Sequence, residues 1–180
     1  MNNMNRIITI VAAGFMLLLA TVSTAGAAQP GTQYPVAPSF SVTGIDNRTI
    51  TSQSLAGKVY IVNFFASWCP PCRAEIPAMI ALQKAYKAKG FTFVGLAVNE
   101  SGSTIRKFSL ANGINYPVAL ADSKIIADYG RFIDGGIRAI PTSFIVDKSG
   151  RVVGIISGAR DKAYFEAVIL DLLKGTKPTK

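Results

Sequence analysis

Val59-Tyr-Ile-Val-Asn-Phe-Phe-Ala-Ser-Trp-Cys-Pro-Pro-Cys-Arg-Ala-Glu-Ile-Pro77 contains both cysteines of the chain, Cys69 and Cys72. Its first part, up to Phe65, is almost continuously apolar, as expected for a central strand covered on both faces. Its second part opens a helical pattern. Pro71 suits the first helical position, where a missing N–H costs nothing. Ile76, Met79, Ile80, Leu82 and Tyr86 then recur at roughly helical spacing, and Gly90 supplies the stop. The pattern predicts a strand over 58–65 and a helix from Pro71 or Cys72 to Lys89. A Cys-x-x-Cys pair where a helix begins is a recipe for a reactive dithiol.

Working outward, residues 40–51 suggest a short hairpin with Asp46-Asn47 near its turn. Phe91 to Val98 reads as a second buried strand. Ser103 to Ala111 fits a short helix with Ile105 and Phe108 on one side and Leu110 off the stripe. Pro117 to Leu120 reads as a short strand, and Ser123 to Tyr129 as a helix with Ser123 as its candidate N-cap. Thr142 to Val146, the turn Asp147-Lys-Ser-Gly150 and Arg151 to Ile156 form an antiparallel pair, closed by a helix from Asp161 to Leu173. The sum is α/β: a βαβ half joined to a ββα half, around a mixed sheet with helices on both faces.

The N-terminus is different in kind. Arg6 precedes an apolar run from Ile7 to Ala20, and small residues follow in Ser23-Thr-Ala-Gly-Ala-Ala28. That is the n-region, h-region and small-residue exit of an export signal. Residues 1–28 are therefore expected to be a cleaved signal peptide or, failing cleavage, a membrane anchor, since Ile7 to Ala28 could span a hydrocarbon core of about 30 Å. Residues 29–37, with Pro30, Gly31 and Pro35, read as a linker. The folded domain is expected over 38–174, with a basic tail over 175–180. An extracytoplasmic location follows, where disulfides persist.

The formal net charge is +9 and histidine is absent. The absence removes histidine-based acid–base chemistry and the commonest metal ligand. The lysines are diffuse, and no pattern reads as nucleic-acid recognition. A zinc site would lack ligands, so no metal and no bound cofactor are expected. Copper(I) on the two thiolates alone is the remaining metal alternative.

The residues themselves assign the roles. Cys69 stands where the helix start leaves unpaired N–H groups and a partial positive charge, which would lower its thiol pKa from about 8.5 toward neutrality. It is expected to be open to solvent. Cys72 follows on the same side and can resolve a mixed disulfide. Glu75, read as near the helix start, is either a favourable partner of the helix dipole or a proton acceptor near Cys72. Asn63 either orients a water near the dithiol or is structural. Pro141, ahead of a strand, could be cis or trans; if it lay beside Cys69, the residue before it would offer backbone groups to an extended peptide.

Trp68-Cys69-Pro70-Pro71-Cys72 with Arg73-Ala-Glu-Ile-Pro77 resembles the extracytoplasmic thioredoxin-like thiol–disulfide oxidoreductases, in particular the reductases serving cytochrome c maturation. Gly57-Lys58, Ala97-Val-Asn99 and Ile140-Pro141-Thr142 extend the likeness over roughly residues 35–173. The resemblance implies a thioredoxin-like fold with an N-terminal hairpin and a helix-containing insertion over residues 101–134. It implies Cys69 as nucleophile, Cys72 as resolving thiol and Glu75 as the acidic residue behind them. It makes Pro141 a cis-proline, with Trp68, Pro70 and Ile140 beside it as substrate contacts. Asn63 stands where cytoplasmic relatives keep a buried aspartate. The implied partners are a protein disulfide, with apocytochrome c as a candidate, and a membrane electron donor. The alternatives are an oxidase or isomerase, or a copper(I) metallochaperone.

Overall fold

The computed structural model describes residues 34–176. The expected signal segment and residues 177–180 of the tail lie outside them. Among the described residues no helix is long and apolar enough to cross a membrane.

The elements follow the sequence reading closely. In order they are β1 (Ser41–Thr43), β2 (Thr49–Thr51), β3 (Val59–Phe65), α1 (Pro70–Tyr86), β4 (Phe91–Ala97), α2 (Gly102–Ala111), β5 (Val118–Leu120), α3 (Ser123–Gly130), β6 (Thr142–Val146), β7 (Val152–Ser157) and α4 (Lys162–Lys174). The main sheet has the order β5-β4-β3-β6-β7. β3 pairs parallel with β4 and antiparallel with β6, and β7 closes the far edge antiparallel to β6. The sheet is therefore mixed, with β3 at its centre and buried along its whole length. The β1–β2 hairpin hooks onto the other edge, where Ile45 N donates to Val118 O at 2.9 Å.

Side-chain alternation sorts the two faces. Ile61, Asn63 and Phe93 share the face covered by α1 and α4, and Phe93 meets Phe165 of α4 edge-on with ring centroids 5.8 Å apart. Phe64 and Phe144 share the opposite face, where Tyr129 of α3 packs on both, at 5.5 and 4.9 Å. Gly95 lies in the middle of β4 because the space above it is taken: a Cβ there would sit 3.0 Å from the Phe65 ring and 3.3 Å from Val118.

Several boundaries differ from the sequence expectation. α1 starts at Pro70 rather than Pro71; neither proline needs an N–H donor in the first turn, so the pattern alone could not separate them. The helix also ends at Tyr86, and Lys87–Lys89 tighten into a 3₁₀ turn before Gly90 at φ 88°. Ser123 does not cap α3. Asp122 does, its side chain accepting Ile125 N–H at 2.7 Å. The last residues of the expected linker, 34–37, are tied down: Val152 N donates to Pro35 O and Ala37 N to Gly150 O, each at 2.9 Å.

Phe64 joins the central strand to α3, so its truncation should leave a cavity at the heart of that face. Phe64→Ala is expected to destabilise the protein by about 3–5 kcal/mol, read from the urea midpoint. A loss below about 1 kcal/mol, the size of a surface change, would show that this aromatic cluster does not hold α3 to the sheet.

Candidate active site

β3 ends at Phe65, and a loop of Ala66, Ser67 and Trp68 brings the chain to Cys69 at the N-cap of α1. Cys69 has extended backbone geometry (φ −88°, ψ 109°), as an N-cap requires. Pro70 and Pro71 have no N–H, so the first free donor of the helix is that of Cys72, and it points at Cys69 Sγ at 3.3 Å. A sulfur thus occupies the place where a serine or aspartate oxygen usually caps a helix. The partial positive charge of the helix start favours the thiolate there.

The two cysteines are joined by a disulfide, with Cα atoms 5.3 Å apart. Cys69 is only 3% exposed, contrary to the expectation of a sulfur open to solvent. The cause is the loop before β6. Ile140 places its carbonyl oxygen 3.7 Å from Cys69 Sγ, and Pro141, joined to it by a cis peptide bond, is buried. Trp68, by contrast, is 58% exposed, and Pro70 is exposed with it. The structure therefore brings Trp68, Cys69, Pro70, Cys72, Ile140 and Pro141 to one end of the sheet, with the sulfur buried and Trp68 exposed.

Glu75 differs from the dipole-partner reading. With Pro70 first, it lies in the second turn of α1, beyond the positions where the dipole acts strongly, and it is 3% exposed. It faces the same side as Cys72, three positions earlier. Its Oε1 accepts the backbone N–H of Arg160 at 2.8 Å, and Oε2 has no partner among the described residues. Burial raises its pKa to about 7. The Arg160 N–H, then the Arg160 charge, then the Asn63 amide pull it back only partly. Asn63 itself donates to Ser143 Oγ at 2.8 Å, tying β3 to β6 beneath the dithiol.

Sequence reasoning missed the support of the loop. Glu100, in the turn after β4, accepts the Ser67 backbone N–H at 2.9 Å and the Ser67 hydroxyl as well. That carboxylate fixes the segment leading into Trp68 and Cys69. The pair is separated by 33 residues, and no local pattern announces it. Among the described residues, no group of three or more His, Cys, Asp or Glu side chains is arranged to hold a metal ion.

Comparison with known proteins agrees with this geometry. The family model of AhpC/TSA matches residues 35–155. A protein of Bacillus thuringiensis (strain Al Hakam) named thiol-disulfide oxidoreductase ResA is 36% identical over 134 residues, 74% of each chain. The ResA of Bacillus subtilis (strain 168) is 30% identical over 143 residues, 79% of this chain and 74% of its own. A thioredoxin-family thiol:disulfide interchange protein from Chlorobium tepidum TLS superposes with a TM-score of 0.77 at 48% identity, covering 79% of this chain and 99% of that one.

A carboxyl whose pKa is about 7 when folded and near 4.5 when unfolded works against stability as pH rises. Below about pH 4.5 both states hold the proton and the native state bears no penalty; through pH 7 the native state must charge a buried group. Glu75→Gln keeps the acceptor for Arg160 N–H and removes this charge. Its stability relative to wild type should therefore grow between pH 4.5 and 8, by on the order of 3 kcal/mol. Parallel stability–pH profiles for the two disulfide-bonded proteins would show that Glu75 titrates normally.

Proposed function

We propose, from the premise that this chain belongs to the AhpC/TSA family and is a thiol–disulfide oxidoreductase, that it reduces protein disulfides outside the cytoplasm. The sequence supports the location through its export-like first 28 residues. An apocytochrome c is the candidate substrate and a membrane electron-donor protein the source of reducing equivalents. These last two rest on the family resemblance.

The reaction begins from the dithiol. The Cys69 thiolate attacks one sulfur of the partner disulfide, and the displaced partner sulfur leaves as a thiolate that takes up a proton. The Ile140 carbonyl lies 3.7 Å from the sulfur, next to the cis Pro141. On this reading the backbone at Ile140 pairs with an extended substrate segment, with Trp68, Pro70 and Pro141 as further substrate contacts. Cys72 then gives up its proton and attacks Cys69 Sγ. The second partner thiolate is released, and the protein is left with the Cys69–Cys72 disulfide. Two electrons have passed to the partner, and the membrane donor restores them.

The observation that carries the direction is the carboxyl of Glu75 buried behind Cys72. Strong oxidants of this class owe their potential to a stabilised reduced form. Here a carboxylate near the dithiol disfavours a second negative charge, so the reduced form gains less. Its pKa of about 7 also suits it to take the Cys72 proton at neutral pH.

The deciding measurement is the Cys69–Cys72 reduction potential. A reductase should lie well below about −200 mV, and a value near −120 mV would make the protein an oxidase instead. Insulin reduction in dithiothreitol should vanish in Cys69→Ser, and Cys72→Ser should accumulate the mixed disulfide. Tight stoichiometric copper(I) with no turnover would replace the enzyme with a metal carrier. Glu75→Gln should shift or flatten the pH dependence of exchange near pH 7, and an unchanged profile would remove Glu75 from proton transfer.

A further inference from the structure

We propose that the end of the sheet opposite the dithiol carries a second binding site, a cleft for a small organic anion with an apolar body. The cleft has a volume of about 710 Å³, within the range of roughly 300–1,000 Å³ typical of pockets for small ligands. It lies between the β1–β2 hairpin, the C-terminal turns of α1 and α2, and the chain leading into β5. Lys58 precedes β3 and Cys69 follows it, so the length of that strand, about 20 Å at the usual rise per residue, separates this rim from the reactive sulfur.

The floor is polar and incompletely satisfied. Both polar atoms of the Gln83 side chain have a partner: Phe93 N–H donates to its Oε1 at 2.9 Å, and its Nε2 donates to Thr92 Oγ1 at 3.2 Å. Ser109 is not. It lines the cleft, is 5% exposed, and its hydroxyl has no hydrogen-bond partner among the described residues. A buried hydroxyl left alone is costly, and most have a partner. The Ser109 hydroxyl is closed off from the cleft as it stands, so a ligand oxygen partners it once the side chain turns toward the cleft.

The rim sets the sign of the ligand's charge. Arg48, Lys58, Lys87 and Arg106 line the cleft against one carboxylate, Asp46, which Arg48 already engages. Lys58 Nζ donates to the Ser54 carbonyl at 3.2 Å and Arg106 to Asn47 Oδ1 at 3.3 Å, both neutral acceptors. The positive field at the mouth is thus uncompensated by the cleft itself. The walls set the ligand's body. Ile45, Ile114 and Pro117 line them, and Leu110, 76% exposed, stands at the edge. Leu110 is the residue that fell off the core stripe of α2. Apolar walls offer nothing to a bare inorganic ion, so the ligand is a carboxylate or sulfonate on a ring or chain.

The test is a fluorescence titration of the disulfide-bonded protein with 8-anilinonaphthalene-1-sulfonate. The expected result is one probe per chain, displaced by dodecanoate but not by inorganic phosphate. The charge-reversal pair Lys87→Glu/Arg106→Glu should weaken binding at least tenfold without changing insulin reduction. Ser109→Ala, which removes only the hydroxyl, should weaken it several-fold. In nitrogen-15 spectra of the wild type, the probe should shift the Gln83 side-chain amide and leave the Trp68 indole in place. Binding indifferent to the charge reversal, several probes per chain, or shifts confined to Trp68 would overturn the proposal.

Discussion

Cys69 stands where β3 ends and α1 begins, and its sulfur caps the helix. Two consecutive prolines make that contact specific. They remove the competing donors of the first turn, so the Cys72 N–H is the first to reach the sulfur. The rest of the molecule holds this junction still. β3 is the central strand, locked on one side by β4 and on the other by β6. The loop between strand and helix is fixed from a third direction by the Glu100 carboxylate on Ser67. A nucleophile placed this way needs no histidine, and the chain has none.

Two opposed fields then act on the dithiol. The helix start favours negative charge at Cys69. Glu75, buried in the second turn behind Cys72, resists negative charge there whenever it is ionised. In the proposed exchange the pair is thereby unequal: Cys69 attacks, and Cys72 keeps its proton until Glu75 takes it. Asn63 matters to this balance by being neutral. An aspartate in its place would put a second carboxyl near Glu75, whereas the amide donates to Ser143, joining the strands, and favours the Glu75 carboxylate.

The junction was legible in the sequence because its causes are local. An apolar strand, two prolines and a helical stripe lie within one short stretch, and reading them located the reactive pair and the fold class. The losses came from contacts made over long distances. Glu75 is buried by a chain segment 85 residues away, whose Arg160 N–H it accepts, so spacing alone left it open between a partner of the helix dipole and a proton acceptor near Cys72. Cys69 was expected to be open to solvent, yet Ile140, 71 residues later, folds over it. Asp122 took the α3 cap from its neighbour Ser123. Both residue types cap helices well, and only the backbone turn decides between adjacent candidates.

The exposed and the covered parts of the active-site end then fit one requirement. Exchange passes through a covalent bond between two proteins, so the partner must be held while its sulfur is aligned. A sulfur standing free of the surface would react with any small thiol. In the proposed exchange, a sulfur beneath the Ile140 carbonyl is reached by a chain that first pairs with that backbone, with Trp68 as a further contact. On that reading, the burial that contradicted the simplest expectation of a reactive cysteine favours an extended peptide that the Ile140 backbone can hold, while a small dithiol such as dithiothreitol exchanges without being held.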